Sequence, residues 1–145
     1  MITELYNAMT EAIRTVPEIK HIDLWNQNVE FIDEDEAWDR PAVFIEFGSI
    51  AWKPYKGLHW GVSGTGEVLL HIVTDWKGSA ADGSQFKAET MEDYELPSKI
   101  LQALNGLSGE GFRNFMLVRT ETNCNHQDLL ENIDVYQVTF ERTFE

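Results

Sequence analysis

The chain carries a single cysteine, Cys124, among 145 residues, which excludes a disulfide framework within one copy. No stretch approaches the roughly 18 consecutive apolar residues that a membrane-spanning helix needs, so a soluble protein with no membrane partner is expected. The opening MITELYNAMTEAIRTVPEI lacks the basic flank and apolar block of a signal peptide, which points to synthesis in the cytoplasm. Basic residues are scarce too: 11 Lys and Arg stand against 25 Asp and Glu, for a formal charge of -14. Such a surface repels nucleic acid and anionic lipid at long range, leaving only local basic patches to act within a screening length of about 8 Å. Low-complexity tracts and internal repeats are missing.

Catalytic signatures are also missing. Gly61, Gly64 and Gly66 are spaced G-x-x-G-x-G, with no Gly-Lys-Ser/Thr ending, and β-branched residues rather than a helix follow. They read as a flexible turn feeding a strand, not as a phosphate cradle. Ser63 sits in Gly-Val-Ser-Gly, which is not a nucleophile elbow. The run Asp33, Glu34, Asp35, Glu36 lacks the alternation, glycine and closing glutamate of a calcium loop. Cys124 and His126 could supply two zinc ligands, but His21, His59 and His71 are scattered and complete no set. Each histidine reads as a surface or satisfied residue, and His71, alternating with Leu70 and Ile72, as one on the exposed face of its strand. Among so many carboxylates some pair must lie close, so proximity alone names no reaction. The expectation is no enzyme, no cofactor and no metal.

What is present is patterning. Ile2, Leu5, Tyr6, Met9, Ile13 and Val16 follow the helical period, with Thr3 as candidate cap and Pro17 as terminator. A short strand is expected over 20–25, an acidic loop over 30–39, strands over 42–47 and 67–74, and a long connection over 49–66 between them. A linker over 77–90 leads to a second helix with Tyr94, Ile100, Leu101, Leu104 and Leu107 inward. Pro97 sits either in its first turn or at a kink. The closing segment 134–144 alternates, with Tyr136, Val138, Phe140 and Phe144 on one face, and its partner is expected over 115–121. The order helix, strand, strand, strand, helix, strand, strand reads as an α+β fold: a mostly antiparallel sheet of about five strands with two helices on one face. The length suits one domain spanning 1–145.

The connection over 49–66 is chemically odd for this chain. It holds Trp52, Tyr55, Trp60, Lys53 and Lys56 and no acid, a local charge of +2 in a protein of -14. Exposed Trp and Tyr act as binding anchors, and long loops in compact domains are usually functional. A few residues earlier, six carboxylates fall within 30–39. Trp52, Lys53, Tyr55, Lys56 and Trp60 are therefore candidate contacts for Asp33, Glu34, Asp35 and Glu36 of a neighbouring copy. The alternative is that Trp52 and Trp60 lie in extended hairpin arms and pack on the core.

Five stretches, in order, resemble the tail terminator, or tail-completion, proteins of long-tailed bacteriophages and prophages. They are the N-terminal helix, RPAVFIEFG, the glycines before GEVLLHIVTD, the helix LPSKILQALNGL and the closing ENIDVYQVTFERTFE. The acidic insert at 30–39 and the linker at 77–90 depart from the family pattern. The resemblance implies a structural virion protein without chemistry of its own. It would form a ring, commonly hexameric, that stops the tail tube and meets a head-side connector protein. The partners so implied are further copies of the chain, the tail tube protein and the connector, with DNA passing through without sequence-specific binding. The protein would be made in the host cytoplasm. Another neck or head-closure component, and a monomeric protein-binding adaptor, are the alternatives; a heterologous ring interface suits a chain offering both a basic aromatic and an acidic segment.

Overall fold

The structure is a computed structural model and describes residues 2–25, 38–54, 60–75, 83–85, 87–123 and 129–144. Helix α1 (Ile2–Ile13) turns Leu5, Met9 and Ile13 inward, as the 3.6-residue period requires. It starts at Ile2, so Thr3 lies inside the first turn and is not its cap. Its end is tightened by i to i−3 bonds, Thr15 N to Ala12 O at 3.1 Å and Val16 N to Ile13 O at 2.9 Å, before Pro17.

Strands β1 (His21–Leu24), β2 (Ala42–Pro54), β3 (Gly61–Asp75), β4 (Phe112–Asn123) and β5 (Leu129–Thr143) form one sheet in the order β1-β2-β3-β5-β4. Only β1 and β2 pair in parallel; the other three pairings are antiparallel. The α+β reading and the alternating β5 are thus observed. Several boundaries are not as expected. Strand β2 runs on to Pro54 and β3 begins at Gly61, so most of the expected connection over 49–66 is paired hairpin arm. The glycines are strand residues rather than a turn. The sequence suggested otherwise because Gly, Ser and Lys have low strand propensity, whereas cross-strand partners decide.

Helix α2 (Lys87–Leu104) starts inside the expected linker and contains Pro97 in its body rather than its first turn. Among its described side chains Leu96, Ile100 and Leu104 are buried, while Tyr94 is exposed, correcting its inward assignment. Leu101 and Leu107 are half-buried against the same core. Gly106, at φ 74°, follows the helix in the left-handed conformation that terminates helices without a Cβ clash. Strand β4 bulges between Arg113 and Met116, and Asn114 there takes φ 59°, a conformation asparagine tolerates.

Both helices cover one face of the sheet. Their buried side chains meet Val43 and Ile45 of β2, Val68, Leu70 and Ile72 of β3, and Tyr136, Val138 and Phe140 of β5. Tyr136 stacks on Phe115 with centroids 4.8 Å apart. Burial holds its phenol above the usual range, and the Asp134 charge adds to that. Asp134 itself is buried and accepts from Thr120 Oγ1 at 2.7 Å and Asn132 Nδ2 at 2.9 Å. Phe144, expected inward with Tyr136, lies beyond the end of β5 and is 53% exposed.

Candidate assembly surface

The β2–β3 hairpin extends past the helices, and its geometry follows from the register. Ile50 pairs with Gly66 and Trp52 with Gly64, while across β3 the same glycines face Val138 and Phe140. A Cβ on Gly64 would stand 2.7 Å from Trp52 Cε3 and 2.8 Å from Ile50 Cγ2. One on Gly66 would stand 2.7 Å from Ile50 Cγ1. The glycines therefore serve as a flat floor on which Ile50 and Trp52 lie, and no phosphate-binding turn exists there. Trp52 reaches Phe140 at 6.3 Å between centroids, which ties the arm to the core.

Beyond that tie the surface becomes apolar and open. Trp52 is 40% exposed, Trp60 66% and Phe144 53%. Phe144 N donates to Trp60 O at 2.8 Å, which pairs the two residues' backbones at the sheet's end. Lys53 and Arg142 are exposed on the same arm and neighbouring strand. Solvent-facing aromatics are unusual on a chain with so charged a surface, and such side chains are the kind that anchor contacts. Of the expected contact residues, Trp52, Lys53 and Trp60 are exposed on this hairpin, as is Phe144 on the neighbouring strand's end, which was not foreseen. Tyr55, Lys56, Asp33, Glu34, Asp35 and Glu36 lie outside the described residues, as do Cys124 and His126.

On the opposite face, where β2 bulges between Phe47 and Ile50, lies an open groove of about 590 Å³ lined by Gly48, Ser49, Thr65, Leu69 and Gln137. Glu67 is its one titratable lining residue. Its carboxyl is held below the usual range by the hydrogen bond from Arg119, at 2.9 Å. Among the described residues no group of three His, Cys, Asp or Glu could hold a metal.

Lower on that face the sequence reading missed a built cluster. His71 is 4% exposed rather than on an open face. It does point away from the helices, as the alternation implied, but Trp25 lies flat over it, 3.8 Å between centroids and 1° between planes. Its Nδ1 faces Glu131 Oε1 at 2.7 Å and its Nε2 faces Glu46 Oε1 at 3.1 Å. Trp38 packs edge-on against Phe44 at 4.8 Å, beneath the guanidinium of Arg40, which pairs with Asp75. The available signal was a charged or polar residue in the middle of each apolar strand, Glu46 in FIEF and His71 in LLHIV.

No family model matches the chain, and no curated protein does. Among solved structures, it is similar to a chain in the virion of a native gene transfer agent (GTA) particle, with a TM-score of 0.60 and 13% identity over 95% of each chain. At that identity the likeness establishes a shared fold, spanning both β2–β3 arm and helices.

Proposed function

We propose that this chain is a structural protein of a phage-like virion, with no catalytic role, that assembles into a ring closing a tail tube and joining it to a head-side connector. The observation that carries this reading is a fold shared end to end with a chain of a virion particle, on a molecule whose exposed aromatics gather at one end of its sheet. The order of elements that prompted the resemblance to tail terminators is retained in the fold. In the ring, Trp52, Trp60 and Phe144 supply apolar anchors, and Lys53 and Lys56 face the acidic segment, including Asp33 to Glu36, of the next copy. An otherwise acidic surface suits passage of DNA without adhesion. The whole of 1–145 acts as one domain in this role.

The test is light scattering with negative-stain imaging of the purified protein across a concentration series. Rings with a central hole are expected. Monomers at every concentration, alone and on purified tail tubes, would overturn the ring. Trp60→Ala addresses the surface: the variant should keep its circular dichroism spectrum yet lose assembly, because a central aromatic anchor contributes about 2 kcal/mol or more to association. An unchanged oligomer would move the interface elsewhere.

A further inference from the structure

The His71 cluster takes no part in the assembly reading, and its geometry carries an inference that does not depend on that reading. A neutral imidazole has one N–H and one lone pair, so it can donate to one carboxylate while its other nitrogen opposes the second. Here both ring nitrogens face carboxylate oxygens, Glu131 at 2.7 Å and Glu46 at 3.1 Å. The arrangement is satisfied at both edges when the ring carries two N–H groups. The Glu131 side chain is 1% exposed and that of Glu46 36%, so one contact is dry and the other reaches solvent. Trp25 then lies on a cationic ring, whose attraction to the indole face adds to stacking. Its backbone is tied as well, Trp25 N donating to Ile45 O at 2.9 Å.

We infer that Glu46, His71, Glu131 and Trp25 form a proton-operated latch that fastens the end of β1 to the face of the sheet opposite the helices. With two protons on the imidazole the ring is held from both edges and Trp25 is seated. Loss of one proton sets a nitrogen lone pair against a carboxylate oxygen and removes the charge beneath the indole, so Trp25 loosens as the pH rises. Among the described residues, the groups facing this site are Glu46 from β2 and Glu131 from β5, and Glu131 makes a further polar interaction besides that with His71. His21 and Asp23 of β1 lie nearby, His21 against Phe44 at 5.6 Å and Asp23 Oδ2 3.9 Å from His21 Nε2. The Arg40–Asp75 pair flanks Trp38 on the same face. His21 is the second histidine in the aromatic cluster, and a test must separate it from His71.

The experiment follows the emission of Trp25, taken as the difference between the parent and Trp25→Phe, from about pH 5.5 to 9, the range in which imidazoles titrate. A single step is expected in the parent. It should be absent in His71→Asn and retained in His21→Asn. Glu46→Gln removes the half-exposed carboxylate charge without emptying the buried site, and should move the step to lower pH. A flat parent profile, a step surviving in His71→Asn, a step lost in His21→Asn, or an unmoved step in Glu46→Gln would each overturn the latch. If His71→Asn fails to fold, the Glu46→Gln shift decides. These readouts are local to one copy, so they succeed or fail whether or not the protein forms rings.

Discussion

The two faces of the sheet solve the same burial problem by different chemistry. Under the helices, Leu5, Met9, Ile13, Leu96, Ile100 and Leu104 close over Val43, Ile45, Leu70 and Val138, an aliphatic interior with Tyr136 and Phe115 stacked at its centre. On the other face two tryptophans, Trp25 and Trp38, cover Ala42, Phe44 and Val73, and a histidine held by two carboxylates lies among them. The first face is nonspecific in what it attracts, since apolar burial has no direction. The second depends on directed contacts, and its stability varies with any change in charge. A protein whose helices cover one face, with Trp25 and Trp38 packed on the other, can thus keep a permanent core on one side and a responsive attachment on the other.

Substitutions on each side test this contrast. The largest effect is expected at Phe140, 1% exposed, where the helix-side core meets Trp52 of the arm. Phe140→Ala should cost about 3–5 kcal/mol in urea denaturation, from lost transfer free energy and the cavity left behind. A loss below about 1 kcal/mol would show that the arm collapses into the space and that this end of the core is loosely packed.

His71→Leu should cost about 1.5–3 kcal/mol, because it removes the imidazole that faces the buried Glu131 carboxylate at 2.7 Å. Adding Glu131→Gln to that variant should recover part of the loss by removing the charge. If His71→Leu alone were neutral, the second face would behave like the first, as an ordinary apolar layer.

Gly64→Ala tests the arm between them. The added methyl would meet Trp52 and Ile50 within 3 Å, and because both are side chains they can move, so a cost of about 1–2 kcal/mol is expected. Trp52 emission should shift as the ring lifts from the strand. No stability change together with unaltered emission would contradict the glycine floor.

The smallest effect is expected at Tyr136. Its hydroxyl is buried with no hydrogen-bond partner among the described residues. Tyr136→Phe should therefore be neutral to within about 0.5 kcal/mol or slightly stabilising, since no bond is lost. A loss above about 1 kcal/mol would mean that the helix-side core, too, relies on a directed polar contact.

How much of this was legible in the sequence depended on the range of the interaction that decides it. The inward stripe of α1 and the alternation of β5 could be read because neighbours three or two residues apart state the face they belong to. The aromatic, acid-free character of 49–66 was equally plain, and it led to Trp52, Lys53 and Trp60. That Trp52 and Lys53 stand on a paired strand entered only as the alternative reading, because Gly64 and Gly66 look like turn residues until Trp52 and Ile50 are laid against them. Tyr94 was placed inward by its apolar character and Phe144 by the strand alternation, yet both are exposed, Phe144 lying beyond the end of β5.

By itself, then, the chain's amino-acid order determined the α+β class, the number of strands and helices, the helix-side face of the closing strand and the concentration of exposed aromatics near residue 60. Local periodicity and composition are sufficient for those. The tertiary structure alone decided that His71 is buried, since its covering ring comes from Trp25 and its carboxylate from Glu131, 60 residues along the chain. Strand alternation tells which way a side chain points, but what it meets there depends on segments brought in from far along the chain.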